Sequence, residues 1–574
     1  MRAHNLRMSR KTMPQLVLGP LLRYAGETDA TVWVETDRSC GVAVRAGDDE
    51  HLSRTFEVEG HHYALVVLTG LEPGRVYGYE VTLDGVRVWP EAGSDFPPSV
   101  IRTLSGEGGF TLAYGSCRVA VPHERPYTLR RGYSMKMGGE HFERDALFGL
   151  SVRMSAQGHR QSNEGWPDAL LLLGDQIYAD EVSGEILKYI RKRRGPDEEP
   201  QEQIADFEEY TQLYREAWRA PHMRWLLSTV PTAMIFDDHD VHDDWNTSEA
   251  WVERMRKTGW WSERIIGAFM SYWLYQHLGN LSPAELSEDP IFKEIQRSPT
   301  RDVSATLRRF SRTADRNPET TRWSYHRDFG RVRLLVVDSR AGRIVKESQR
   351  SMLDEAEWRW VEEKATGDFD HLVFGSSLPF ALAPALHHLE AANESVCGGA
   401  WGRRAAKTAE FIRQYVDLEH WPAFNRSFQR LEALIRSVAS GERSNGDPPA
   451  SVTIISGDVH HGYLARLDLG SGFYSPVYQS VSSPVRNPLG KPERIIISLG
   501  WTKFAAGVGG LVSRLAKASQ PGVSWRRVED KTWFDNHIST LRLRGRDAML
   551  QVERTVPEGE GSSELQKILE HRIS

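Results

Sequence analysis

The sequence predicts a mixed α/β chain in two parts: an all-β sandwich, then an α/β domain with helical insertions. Three observations carry this expectation. Residues 15–104 hold short β-rich runs separated by turn residues. From residue 110 onward, apolar strand-like runs alternate with long stretches of helical periodicity. Four of those runs end abruptly in acidic, histidine or cysteine side chains, as when a buried strand delivers polar groups to the edge of a sheet. At 574 residues the chain exceeds one ordinary small domain. We expect a domain over 15–104 and another over 110–556.

In the first part, Thr31-Val32-Trp33-Val34, Gly41-Val42-Ala43-Val44 and Ala64-Leu65-Val66-Val67-Leu68 read as strands. Asp84-Gly85 is a hairpin signal. Leu71-Glu72-Pro73-Gly74 before Tyr77-Gly78-Tyr79 suggests the tyrosine corner of an immunoglobulin- or fibronectin-like sandwich. Ser105–Gly109 reads as a linker.

In the second part, the four marked runs end at Gly115-Ser116-Cys117, at Gly174-Asp175-Gln176-Ile177-Tyr178, at Asp237-Asp238-His239-Asp240 and at Gly457-Asp458-Val459-His460. Val332–Val337 and Leu372–Gly375 read as further buried strands. Phe207, Tyr210, Leu213, Tyr214 and Trp218 recur at helical spacing, and Pro221 is expected to end that helix. Residues 246–320 and 403–440 read as helical. Arg191–Arg194 reads as a solvated turn. Trp251, Trp260, Trp261 and Trp273 read as core rather than as an entrance lining. The glycine-rich Ala506–Gly510 lacks the Lys-Ser/Thr of a phosphate-binding loop and suits a helix–helix contact or a mobile cover.

Hydrophobic residues make up 40% and charged residues 26%, with a formal net charge of −6. This is a soluble globular composition with no global electrostatic case for a nucleic-acid or membrane partner. Three cysteines do not build a disulfide framework. The basic stretch Met1–Pro14 is followed by no apolar leader core, and Arg2 and Arg10 form no twin-arginine pair. No run reaches the ~18 apolar residues of a membrane span. A cytoplasmic location is the expectation.

Burying this many carboxylates together is unfavourable unless cations neutralise them, so the four strand ends point to a bound metal cluster. Cys117 offers a soft thiolate, Asp175 two oxygens able to bridge cations, Tyr178 a phenolate suited to trivalent iron, and Asp238 a carboxylate. His239 reads either as a ligand or as a proton donor. Asp458 and His460 flank Val459, so an extended segment would point both to one side. Taken singly, each has a plain alternative: an inert buried thiol, a core tyrosine, or a capped solvated turn at Asp237–Asp240.

These segments, in this order, resemble the alkaline phosphatase D (PhoD-like) family of calcineurin-like metallophosphoesterases. The matching strings are Gly115-Ser116-Cys117, Gly174–Asp180, Asp237–Val241 and Gly457–His460, with an Asp-x-Arg element at Asp338-Ser339-Arg340. The resemblance covers nearly the whole chain. It implies a four-layer α/β/β/α catalytic domain behind the sandwich. It also implies a phosphomonoesterase or phosphodiesterase that uses a metal-activated hydroxide. Cys117, Asp175, Tyr178 and His460 would hold Fe3+. Asp175 would bridge to Ca2+, or alternatively Zn2+ or Mn2+, bound also by Asp238 and Asp458. His239 would be the general acid and Arg340 would hold a phosphate oxygen. The chain departs from the family string at His242, Asp243 and Asp244, which leaves an outer calcium in doubt, and a ligand around Ser376-Ser377 is unassigned. The expected partner is a phosphoester small molecule. The competing readings are a nuclease or phospholipase-type phosphodiesterase, the latter wanting an apolar entrance, and a catalytically inactive metal-stabilised binding protein.

Overall fold

The structure, a computed structural model, describes residues 13–106, 108–129, 141–160, 163–297, 302–556 and 565–574. Most of the Met1–Pro14 stretch and residue 107 of the expected linker lie outside the described residues.

The first part is a sandwich of two antiparallel sheets. One holds Leu16–Ala25, Asp29–Thr36, His61–Thr69 and Phe56–Val58. The other holds Asp49–Arg54, Gly41–Ala46, Val76–Leu83 and Val86–Trp89, with Val100–Arg102 beside Val76–Leu83. Both short-range signals operate as read. The hairpin turns through positive φ at Asp84 (47°) and Gly85 (81°), the type I′ pattern that matches strand twist. The Tyr77 hydroxyl accepts the Glu72 amide at 2.8 Å, the tyrosine-corner bond. Val32, Val34, Val44, Val66 and Val81 fill the space between the sheets. The opposite face of the first sheet does not meet water. Leu21, Trp33, Tyr63 and Leu65 join a core with Phe207 and Tyr275 of the second part, and the Trp33 and Tyr275 rings lie 5.3 Å apart. Arg23 crosses the junction fully buried and donates to the carbonyls of Thr232 (3.0 Å) and Gln276 (2.7 Å).

The second part contains two face-to-face sheets. One runs Thr232–Ile235, Ala169–Leu173, Phe110–Gly115, His537–Arg544, Asp547–Thr555, Leu565–Arg572, and its first three strands are parallel. The other runs Tyr325–Phe329, Val332–Val337, His371–Ser376, Ser451–Ser456, Val477–Val481, Tyr463–Asp468, Ser524–Arg527, with four parallel strands from Val332–Val337 to Val477–Val481. Side-chain alternation sets the layers. Leu112, Leu171, Leu173 and Ile235 meet Leu334, Val336, Val373 and Ile455 between the sheets. Their neighbours Leu170, Leu172 and Met234 face one helical layer, and Leu335, Val337, Leu372 and Phe374 face the other. The result is the expected α/β/β/α order. The first sheet continues past residue 556, because Leu565–Arg572 pairs with Asp547–Thr555.

Several local expectations change in detail. Asp206 caps the helix Phe207–Trp218, and Pro221 opens the next helix rather than merely ending this one, since a first-turn position needs no amide proton. Arg191–Arg193 stay exposed, as expected, but form the last turn of the helix Gly184–Arg193, and Arg193 and Arg194 pair with buried Glu209 at 2.9 and 2.7 Å. Trp251, Trp261 and Trp273 are buried and Trp260 half-buried. The 403–440 stretch breaks: Arg403–Tyr415 ends, a loop with Asp417 at φ 49° follows, and Asn425–Ala439 starts anew. Pro422 is the sequence reason. Ala506–Gly510 lies within the helix Lys503–Leu515. A Cβ on Gly509 would stand 2.9 Å from the Ala385 carbonyl oxygen, so this stretch makes the close helix–helix contact. Among the described residues no single helix is long and apolar enough to cross a membrane. One pair, Lys491–Gly500 and Lys503–Leu515, reaches that length and composition together but is bent by 73°.

Candidate metal centre

The parallel strands of both sheets end at the same rim, and the segments that leave them turn sharply. Gly115 leads to Cys117, Leu173 to Asp175, Ile235 to Asp238 and Ser456 to Asp458. Cys117 (φ 57°), Asp175 (48°), Asp458 (66°) and His460 (50°) all occupy the left-handed region, which non-glycine residues seldom adopt. Segment 457–460 is therefore a tight turn, not the extended run expected from its spacing. Such strain at four neighbouring polar residues is characteristic of functional sites. Two glycines allow the close approach of the sheets. A Cβ on Gly457 would sit 2.2 Å from Ser116 Oγ, and one on Gly174 would sit 2.5 Å from Asp237 Cβ. Ser116 Oγ accepts the Asp458 amide at 3.0 Å, which ties the two turns together.

Donor atoms of Cys117, Asp175 and His460 lie within 4.8 Å of one another. Tyr178 stands beside them, its hydroxyl 3.4 Å from Asp175 Oδ2 and receiving the Asn487 amide at 3.2 Å. Asp175 also clusters with Asp238, through Asp237, a residue not expected among the ligands, and Asp238 clusters with His239 and Asp243. Asp458 is held differently. Its Oδ2 is 3.2 Å from His420 Nε2 and its Oδ1 3.3 Å from the Arg340 guanidinium. Neither Glu419 nor His420 carried a signal in the sequence, because both arrive on the loop that interrupts the 403–440 stretch.

Arg340 does not stand where a phosphate ligand needs it. It is fully buried beneath the carboxylates, 2.5 Å from Asp237, 3.1 Å from Asp238 and 3.3 Å from Asp458, and it is ion-paired with Glu419. Asp338 fixes this position by accepting the amides of Arg340 (3.0 Å), Ala341 (3.1 Å) and Gly342 (2.6 Å). Arg340 neutralises the cluster from behind and has no face open to a ligand. Ser377 likewise turns inward, donating to Asp237 at 3.1 Å.

One arginine does not balance the cluster. Asp175 Oδ1 and Asp237 Oδ2 are buried acceptors with no hydrogen-bond partner. Burial pushes the Asp175 carboxyl far above the usual carboxylate range, against the pull of nearby His239. Burial raises Asp238 to about 6, although Arg340 and His239 oppose it. The buried Cys117 thiol is pushed up by burial and by Asp175 and Asp458. Such groups ionise together only around added positive charge, and the thiolate, phenolate, imidazole and carboxylate donors fit cations.

His239 is half-buried. Its Nδ1 faces both Asp180 oxygens at 3.0 and 3.1 Å, and its ring lies 4.9 Å from that of Tyr178. Burial disfavours its cation, but Asp180 and Asp238 outweigh this and hold the imidazole well above its ordinary range. It lines the wall of a cavity of about 1010 Å3 shared with Asp238, Asp458 and His460.

Comparison with known proteins agrees with this architecture. The PhoD-like phosphatase family model matches residues 139–494, and a domain of unknown function, DUF7800, matches residues 13–101. No curated protein matches the chain. A solved structure titled "Structure of PhoD" superposes with a TM-score of 0.61 at 12% identity, covering 99% of this chain and 94% of that one; at this identity the likeness is one of fold. The type III pullulan hydrolase from Thermococcus kodakarensis, at a TM-score of 0.15, 12% identity and coverages of 97% and 98%, carries no argument. With more than half of its length matched to one family, the chain belongs to the PhoD-like phosphatases, which are metal-dependent phosphoesterases.

Proposed function

We propose that the chain hydrolyses phosphomonoesters or phosphodiesters, with Fe3+ held by Cys117, Asp175, Tyr178 and His460. The second cation is Ca2+, or alternatively Zn2+ or Mn2+, held by Asp175, Asp238 and Asp458. The observation that carries this reading is the convergence of Cys117, Asp175 and His460 around an unpartnered Asp175 oxygen. When bound, the two cations supply an activated water and charge stabilisation for the phosphate oxygens. The remaining work falls to the chain. Arg340 offsets the charge of Asp237, Asp238 and Asp458 so that they stay together. His239, oriented by Asp180 in the cavity lining, donates a proton to the leaving alkoxide. Asn487 orients the Tyr178 hydroxyl. We propose the same division of labour along the chain as the sequence suggests, a sandwich over 15–104 and a catalytic region from 110.

Hydrolysis of p-nitrophenyl phosphate and bis(p-nitrophenyl) phosphate, with and without a chelator, tests this alongside metal analysis. Activity that a chelator abolishes and iron restores is expected. Full activity in metal-depleted protein would overturn the assignment, and metal binding without any turnover would favour the inactive binding protein.

A further inference from the structure

The cavity that opens onto His239, Asp458 and His460 gathers most of its polar groups around those residues, with Asn393, Thr408, Asp417 and Glu493 also in its lining. Its walls are Leu386, Val396, Ile412, Val416, Ile496 and Val512, drawn from four helices. A site for a small hydrophilic phosphoester has no use for such walls, because each apolar side chain left facing water forgoes the burial that would stabilise the fold. The apolar surface does not stop at the mouth. Most of the exposed large apolar side chains among the described residues fall in two segments that flank it. Phe411 (67%) and Tyr415 (75%) project from the helix Arg403–Tyr415, and Ile495, Phe504 (82%) and Leu511 from the helix pair Lys491–Gly500 and Lys503–Leu515. The two segments touch, Trp401 Nε1 donating to the Leu515 carbonyl at 3.1 Å.

Charge marks the same face. In a chain of net charge −6, residues 491–517 carry Lys491, Arg494, Lys503, Arg514 and Lys517 against a single carboxylate, Glu493. Arg403, Arg404 and Lys407 add exposed cations on the adjoining helix. Apolar side chains rimmed by cations suit an anionic phospholipid surface. Helices of 10 and 13 residues are about 15 and 20 Å long, too short to cross a bilayer of ~30 Å. Gly509 and Gly510 press the second onto the body. Neither helix of the pair is long enough by itself to span a bilayer.

We infer that this enzyme takes phosphoesters bearing a long hydrocarbon chain from an anionic bilayer. The phosphate rests beside His239, Asp458 and His460, the chain lies along the apolar walls, and the pair Lys491–Gly500 and Lys503–Leu515 lies in the interface. The inference rests on the phosphoesterase reading. The reaction itself is unchanged: water adds across one P–O bond, giving an alcohol and a phosphate-bearing product. A face of this kind also suits a second copy of the chain, but the cations clustered on it repel their own copies and favour an anionic surface.

The metal-loaded full chain tests this by cosedimentation with phosphatidylglycerol vesicles and with phosphatidylcholine vesicles. Turnover of long-chain phosphatidylglycerol and of soluble bis(p-nitrophenyl) phosphate is followed in parallel. Salt-sensitive binding to the anionic vesicles is expected, together with hydrolysis of the lipid. A Phe504→Glu, Leu511→Glu double variant should weaken vesicle binding by about tenfold or more. It should cut lipid turnover in step and leave the soluble ester unaffected. Soluble-ester turnover without vesicle binding would overturn the inference alone. So would a dimer that the double variant dissociates, with no vesicle binding. Absence of turnover on both substrates would overturn the phosphoesterase reading, and the lipid substrate with it.

Discussion

Asp180 and His239 form a pair beside the Asp238 carboxylate, with the imidazole Nδ1 3.0 and 3.1 Å from the two Asp180 carboxylate oxygens. Asp180 is itself nearly buried and also accepts the Asp243 amide at 2.5 Å. The pair fixes the orientation of the ring, whose Nε2 stands 3.8 Å from Asp243 Oδ1.

If His239 is the general acid, it matters most for poor leaving groups. We expect His239→Ala to lower turnover of alkyl phosphoesters by about 10²-fold or more and p-nitrophenyl esters far less, with metal content nearly kept. Asp180→Asn should show the same leaving-group dependence in weaker form. Equal losses on both substrates with loss of metal would identify His239 as a ligand instead.

Asp175→Asn should abolish activity and lower metal content, with little loss of fold. An amide offers one good donor oxygen and no charge, so affinity should fall by about tenfold or more. Because the carboxylate is buried and one of its oxygens has no partner, the metal-free variant should melt at the same temperature as the metal-free parent or above it. Near-normal turnover with unchanged metal content would sink the assignment.

Iron loading should colour the protein purple or brown through phenolate-to-iron charge transfer from Tyr178, with the Cys117 thiolate contributing. Tyr178→Phe should lose the phenolate part of the band while keeping iron in proportion to the remaining ligands. A fully active enzyme with no iron and no visible absorption would favour an all-divalent site.

Away from the site, His61 joins the sandwich to the helix Phe207–Trp218 through Glu208 at 2.6 Å, with Glu35 of the neighbouring sandwich strand at 3.4 Å. Burial disfavours its cation, but the two carboxylates outweigh burial and raise it to about 9. The folded state thus holds this proton more tightly than the unfolded chain. Its contribution is complete below about pH 6.5 and is lost as pH rises through about 9. His61→Gln should cost on the order of 2 kcal/mol near pH 6 and much less above pH 9. Denaturant titrations across that range check it, and a pH-independent difference would refute it.

The sequence by itself determined the two-part α/β organisation, the sandwich with its Asp84-Gly85 turn and its Tyr77 corner, and the four strand ends that converge. These are legible because turn chemistry and side-chain alternation are local, and because a strand running out of apolar residues into Gly-Asp or Gly-Ser-Cys marks a sheet edge whatever lies around it. Only the tertiary structure decided which polar groups share the space. Arg340 reads from its string as a phosphate ligand but lies beneath Asp237 and Asp238, because burying several carboxylates demands a counter-charge that the motif does not announce. Glu419 and His420 reach Asp458 and Arg340 from a loop inside a stretch of helical composition. The apolar walls of the cavity come from two separate stretches of the chain, 384–416 and 491–515, of which the sequence marked only the part from 403 as helical. Periodicity tells which face of a helix is apolar. Whether that face meets a core or an open mouth depends on what packs against it, and that is a property of the assembled fold.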